Sequence, residues 1–203
     1  LSHAAGGFFT SKFTDAAVVV VDAIGEFSTT SVYIGSYRQL VPLFSESYPH
    51  SLGLFYTAIT QMVGLKPNEE EYILMGMSAF GKSIPILKDM LAEWITFGNK
   101  DPITFKKNFH RGARDWRANS VKHENIAAAT QDIYEMIFER VLQTAVSLVP
   151  SKNLVLMGGC ALNCVANPIA YKYFDNVWIY PAPTDAGSAI GAVLAQKPEW
   201  YSY

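Results

Sequence analysis

The feature that most constrains this chain is the order of segments in its last quarter. A short apolar run, Asn153 to Met157, is followed by a helical stretch from Ala161 to Tyr173, a second apolar run from Val177 to Tyr180, and a helical stretch from Ser188 to Gln196. Strands alternating with helices at this spacing predict a βαβ unit with a right-handed parallel crossover, and so an α/β fold. Upstream, Ala16 to Asp22 (AAVVVVD) reads as a buried strand and Ser31 to Gly35 as a second. The segment between them, Ala23 to Thr30, holds Gly25 and three hydroxyl residues and predicts a strand–loop–strand hairpin. A hairpin early and a parallel unit late give a mixed sheet flanked by helices.

Three helices are legible between these parts. Leu52, Phe55, Ile59 and Met62 recur at three- and four-residue steps over Ser51 to Val63, bracketed by Pro49 and Gly64. Glu69 to Gly81 is a helix running into a turn. Asn125 to Val149 carries Ile126, Ile133, Ile137, Val141, Ala145 and Leu148 on one face and stops at Pro150. Lys88 to Arg117 has no clear period and is expected to be a variable insertion. No internal repeat is present.

Composition narrows the function. With 203 residues, half of them hydrophobic, the chain can build a sizeable core. A net charge of −2 gives no overall footprint for nucleic acid or an anionic membrane. The basic residues Lys106, Lys107, Arg111, Arg114 and Arg117 read as a solvated face, so nucleic acid is not an expected partner. The longest apolar run, Ala16 to Val21, is far too short to span a bilayer, and a cytoplasmic location is expected. Cys160 and Cys164 are spaced like neighbours on one helical face and read as two partly buried free thiols.

Four places could carry chemistry. Asp22 ends a buried strand and leads into a Gly-containing turn with Ser28, Thr29 and Thr30. Backbone N–H groups and hydroxyls of such a turn can meet phosphate oxygens while the carboxylate holds a cation. Met157-Gly158-Gly159 follows a strand and opens a helix, with Asn163 close behind, so a ligand could approach the backbone there. Pro181 to Ser188 (PAPTDAGS) places Asp185 and Gly187 at a strand end and a helix start. Asp185 is equally consistent with a helix-capping carboxylate and with a metal ligand at the sheet edge. His3 lies near the start of the chain. Neither a P-loop nor a dinucleotide-binding fingerprint occurs.

Taken together, LSHAAGGFF, AVVVVDAIGEFSTTSVYIG, YPHSLGLFYTAITQMVGLKP, LVLMGGCALNCVAN and YPAPTDAGSAIGA resemble ATP-dependent O-carbamoyltransferases of the nodulation-protein and antibiotic-tailoring type. Order and spacing match over nearly the whole chain, least between about 88 and 117. The resemblance implies the actin-like, ribonuclease-H-like superfold shared with sugar kinases and Hsp70. It implies a chemistry in which carbamoyl phosphate and ATP form carbamoyladenylate, whose carbamoyl group passes to a hydroxyl of a sugar or natural product.

On this resemblance His3 matches the second histidine of an HxxxH motif, and His3, Asp22 and Asp185 are metal ligands. Asp22 and Asp185 are also the residues assigned to catalysis. Gly25, Ser28, Thr29, Thr30, Gly158, Gly159, Asn163 and Gly187 are nucleotide contacts. Imidazole with carboxylates suits a first-row transition metal, iron foremost, with Mg²⁺ the other cation to consider. Ala23 and Ile73 depart from the family pattern, which has Gly and Lys at these places.

The implied domain plan puts residues 1–48 at the end of a first lobe and 49–203 in a second. The remaining N-terminal part and a C-terminal domain resembling YrdC are expected to be supplied by the same polypeptide or a partner chain. The alternatives are a tRNA threonylcarbamoyl-transfer-type enzyme, a sugar kinase, and a non-catalytic nucleotide-binding fragment of a split enzyme.

Overall fold

A computed structural model describes residues 1–25, 27–84, 86–97, 104–113, 116 and 121–196. Its centre is a five-stranded sheet. Strand β1 (Asp15–Gly25) pairs antiparallel with β2 (Ser28–Ser36), and β2 pairs antiparallel with β3 (Gln39–Ser47). On its other side β1 pairs parallel with β6 (Asn153–Met157), which pairs parallel with β7 (Asn176–Ile179), giving the order β3-β2-β1-β6-β7. The sheet is therefore mixed, as the sequence predicts.

The two central strands are unbroken apolar runs because both of their faces are covered. Ala17, Val19 and Val21 of β1 and Leu154 and Leu156 of β6 face one core, shared with α2 (Leu52–Met62) and α5 (His123–Leu148). Ala16 and Val18 with Val155 and Met157 face the other, against Ala4, Ala5, Phe8 and Phe9 of α1 (Ser2–Thr10) and Leu194 of α6 (Asp185–Gln196). Each large side chain fully buried in this way contributes about 1.5–3 kcal/mol.

Strand β1, from the segment 1–48, pairs parallel with β6, from the segment 49–203. Several expectations need correction. The helix expected over Ala161 to Tyr173 is instead two 3-10 segments, Gly159–Leu162 and Asn167–Lys172. Pro168 explains the break, since it lacks an N–H and is tolerated only in a first helical turn, where it sits in the second segment. Cys160 is consequently buried while Cys164 is exposed, and they share no helical face.

Strand β3 and helix α1 have no counterpart among the sequence expectations. β3 is an exposed edge strand carrying Pro42, without the apolar alternation that marks a half-buried strand. α1 contains Gly6 and Gly7, which disfavour an isolated helix, and forms because Phe8 and Phe9 are buried against the sheet.

The described parts of the segment expected to be a variable insertion are anchored to the core. Helix α4 (Ile86–Trp94) leads into a small two-stranded ladder, β4 (Ile95–Thr96) with β5 (Thr104–Phe105). Phe55 of α2 stacks on Phe105 at 5.5 Å and meets Phe109 edge-on at 5.2 Å, while Trp94 lies 4.8 Å from Trp116. Of the basic residues, Lys106 is turned to the Ala92 carbonyl oxygen; Arg114 and Arg117 lie outside the described residues. Among the described residues no helix is long and apolar enough to cross a membrane.

Candidate metal centre and adjoining cavity

The site begins at the end of β1. Pairing of β1 with β2 runs regularly from Asp15↔Ser36 to Val21↔Thr30 and resumes only at Gly25↔Ser28, so residues 22–24 bulge out of the ladder. A bulge re-aims side chains, and here it turns Asp22 off the sheet. Ser51 holds the bulge from the far side. Its buried hydroxyl donates to the Ala23 carbonyl oxygen (2.6 Å) and accepts the Leu54 N–H (3.0 Å), so one residue caps α2 and fixes the strand end. The Asp22 carboxylate is oriented in turn, with Oδ1 accepting from Ala23 N–H at 2.8 Å and more weakly from Gly159 N–H at 3.4 Å. Oδ2 is left pointing outward.

Gly158 brings the third segment in. It has φ +91°, and a Cβ there would lie 2.1 Å from the Val21 carbonyl oxygen. Only glycine can take that backbone conformation at that approach. The Gly158 N–H donates to the Pro183 carbonyl oxygen at 2.8 Å, tying the end of β6 to the turn that precedes α6. At that turn Thr184 Oγ1 accepts the Ala186 N–H at 3.4 Å. The threonine thus meets the helix N-terminus, and the Asp185 carboxylate is turned toward His3 instead of capping its own helix.

The three predicted ligands converge. His3 Nε2 is 3.6 Å from Asp22 Oδ2 and 3.5 Å from Asp185 Oδ1, and one donor atom from each residue lies within 4.8 Å of the others. His3 Nε2 is buried and has no hydrogen-bond partner, an expensive state for a ring nitrogen. The two His3 distances are too long for hydrogen bonds and suit two ligands of one cation, on which the carboxylate oxygens, given only as within 4.8 Å, would close by at most about 0.6 Å. Two ligand atoms each about 2.1 Å from one ion at tetrahedral-like angles lie roughly 3.4 Å apart. The donor set of one imidazole and two carboxylates fits a first-row transition ion better than Mg²⁺, which prefers oxygen and water.

Beside this cluster opens a cavity of about 320 Å³. Asp22, Ala23 and Gly159 form the end nearest the cluster. Tyr56 and Thr57 of α2, Glu71, Tyr72 and Met75 of α3 (Glu71–Ser78), and Tyr134, Cys160 and Asn163 line the rest of it, with the Tyr56 and Tyr134 rings meeting edge-on at 5.4 Å. The back of the cavity is held by hydrogen bonds. Gln131 and Asn163 exchange reciprocal amide hydrogen bonds at 3.1 Å, and Tyr56 donates its hydroxyl proton to Gln131 Oε1 at 3.0 Å. Tyr134 donates to the Cys160 carbonyl oxygen at 2.8 Å. Glu71 Oε1 accepts from Thr57 Oγ1 (3.0 Å) and from Asn68 N–H (2.7 Å), and among the described residues Oε2 has no hydrogen-bond partner.

Of the residues expected to contact nucleotide, Gly159 and Asn163 line this cavity. Gly25, Ser28, Thr29, Thr30, Gly158 and Gly187 are outside its lining. The reason is local. The expected loop over 23–30 is largely strand, and two of its hydroxyls are bonded away from the cavity: Thr29 donates to the His50 carbonyl oxygen at 2.5 Å and Ser28 bonds Ser45 at 2.9 Å. Thr30 is buried, and its Oγ1 has no hydrogen-bond partner among the described residues. Gly187 is pressed against the Ala182 carbonyl and the Tyr180 ring. Ser51, Tyr56, Glu71 and Gln131 are the residues of the site that sequence reasoning does not find.

Burial pushes the Cys160 thiol up to about 12, with the Asp22 carboxylate adding to the effect. At pH 8 only about one molecule in 10⁴ would carry the thiolate there. Native protein at pH 8 is therefore expected to lose one thiol, Cys164, to iodoacetamide, and to lose the second only in denaturant; mass spectrometry of the alkylated peptides reads this out. Because the unfolded thiol ionises near its ordinary value, the folded state also loses stability as pH rises between about 9 and 12.

A family profile described as "Carbamoyltransferase N-terminus" matches residues 1–194. The chain belongs to this carbamoyltransferase family. An uncharacterised protein of Synechocystis sp. is 38% identical over the whole chain, which covers 36% of that protein. Nodulation protein NolNO of Sinorhizobium fredii is 28% identical over 98% of the chain and 30% of its own length. Nodulation protein NolO of Bradyrhizobium diazoefficiens is 28% identical over 97% of the chain and 37% of its own length. The chain thus spans about a third of the length of these relatives.

Proposed function

We propose that this chain is the nucleotide- and metal-holding part of an ATP-dependent O-carbamoyltransferase. The observation that carries the reading is the buried, unpartnered Nε2 of His3 set between two carboxylates at the mouth of a nucleoside-sized cavity. In this reading the cavity takes the nucleoside of ATP or carbamoyladenylate. Glu71 Oε2 faces its sugar hydroxyls, and Tyr56 and Met75 supply apolar surface for the base. The exposed backbone at Ala23 to Gly25 and the N–H of Gly159 lie beside the phosphate chain. The antiparallel β1–β3 meander extended by two parallel strands supports placing the domain in the actin-like superfold.

His3, Asp22 and Asp185 would hold the cation, with iron the first choice on donor type. When bound, such an ion supplies positive charge against a phosphate or acyl-phosphate oxygen. The chain's own contribution is positional. Asp22 has one oxygen fixed by two backbone N–H groups, so its second oxygen is presented at a set angle. The acceptor is a hydroxyl of a sugar or natural product, the class of small molecule that fits a family with nodulation proteins among its members.

Calorimetric titration with ATP tests the reading. ATP is expected to bind this chain in the presence of Fe(II) or Mn²⁺ at least about tenfold more tightly than in EDTA, because phosphate oxygens share the cation's charge. Absence of ATP binding under both conditions would contradict it.

A further inference from the structure

Helices α1 and α6 approach backbone to backbone next to the candidate metal centre. A Cβ built on Gly191 of α6 would lie 1.9 Å from the Ser2 carbonyl oxygen and 3.0 Å from Gly6 N. On the other side of the same crossing, a Cβ on Gly6 would meet Gly191 Cα at 3.4 Å, an ordinary contact. Ser2 directly precedes His3, and Asp185 begins the helix that carries Gly191. The contact at Gly191 therefore sits between the backbones that deliver two of the three donor atoms. Asp185 itself is 94% exposed, and its carboxylate lies 3.5 Å from His3 Nε2.

We propose that Gly191 is a positioning residue, whose missing side chain sets the His3–Asp185 separation and thereby the affinity of the centre for its cation. This rests on the metal reading above. A methyl group at 191 cannot remain 1.9 Å from the Ser2 oxygen, so the crossing must open by about 1 Å or more, and ligand groups displaced by that distance lose most of their pre-organised geometry. Opening there moves the start of α1 away from α6 and draws His3 off Asp185. Gly6 lies on the same crossing but has room for a methyl, so it supplies the internal comparison.

The test is a set of variants titrated with Co²⁺, whose visible absorption reports both affinity and ligand geometry. Gly191→Ala is expected to bind Co²⁺ at least about 30-fold more weakly with an altered spectrum, while Gly6→Ala stays within about threefold of the unmodified chain. Asp185→Glu, one methylene longer, is expected to weaken binding in the unmodified background but to restore it at least about fivefold in the Gly191→Ala background. A change of sign of that kind reports distance, not general loosening. Should Gly191→Ala fail to fold by circular dichroism, Gly6→Val opens the crossing from the other side, and Asp185→Glu is expected to rescue it in the same way. Binding by Gly191→Ala equal to that of the unmodified chain, or Asp185→Glu acting alike in both backgrounds, would overturn the positioning role and leave the metal reading standing. No Co²⁺ binding by the unmodified chain would remove both.

Discussion

Asp22→Asn is expected to lower cation affinity on the order of 100-fold or more while leaving the fold intact. The side-chain oxygen of asparagine still accepts from Ala23 N–H and Gly159 N–H, so the bulge at the end of β1 keeps its internal partner. What is lost is a charged donor atom, and loss of a first ligand is costlier than the roughly 10–100-fold typical of outer partners. Without cation the variant should be at least as stable as the unmodified chain, because two carboxylates no longer face one another across His3. Asp22→Ala is expected to differ. It leaves two backbone N–H groups without their acceptor and should lose about 1–2 kcal/mol of stability besides the cation. Thermal melts with and without Mn²⁺ separate the effects: the melting temperature of the unmodified chain rises with Mn²⁺ and that of both variants does not.

The largest effect on folding is expected at Gly158. Alanine there would need both a left-handed backbone conformation, φ +91°, and a Cβ 2.1 Å from the Val21 carbonyl oxygen. The strain of the first is about 1–2 kcal/mol, and the second forces β6 away from β1 at the centre of the sheet, so a total loss of about 4 kcal/mol or more is expected. Gly159→Ala is the control. Its Cβ would lie 3.4 Å from Asp22 Oδ1, an ordinary contact, so its stability should fall by less than about 1 kcal/mol. Urea unfolding of the pair measures this, and equal midpoints would show that the β6 turn tolerates what its geometry forbids.

These two residues also mark how far the sequence can be read. β6 occupies the predicted Asn153–Met157, and α2 and α5 fall within two residues of their predicted limits, because long periodic runs with clear punctuation carry their own signal. Strand β3 escaped because an edge strand needs no apolar face. Helix α1 escaped because packing on β6 overrides two glycines. The run after Gly159 reads in sequence as one helix, and Pro168 divides it into two 3-10 segments.

In the site, the sequence points to His3, Asp22 and Asp185, which the structure brings together. That reading rests on resemblance to a family, since the sequence alone leaves Asp185 equally suited to capping. Ser51, Tyr56 and Gln131 act over separations of 28 to 75 residues, through the Ala23 carbonyl and the Tyr56–Gln131 hydrogen bond, and no local pattern announces such partnerships. Thr29 and Thr30 show the converse. A hydroxyl-rich segment looks like a phosphate loop in sequence, yet Ser28 to Thr30 begin strand β2 and lie outside the cavity lining.

The central claim, that His3, Asp22 and Asp185 bind one cation, is tested most directly by anomalous diffraction at the iron edge from crystals of this chain grown anaerobically with Fe(II). One peak is predicted between His3 Nε2, Asp22 Oδ2 and Asp185 Oδ1, about 2.0–2.3 Å from each. Iron-replete crystals with no peak there, and with His3 Nε2 closed into a direct hydrogen bond with either carboxylate, would contradict it.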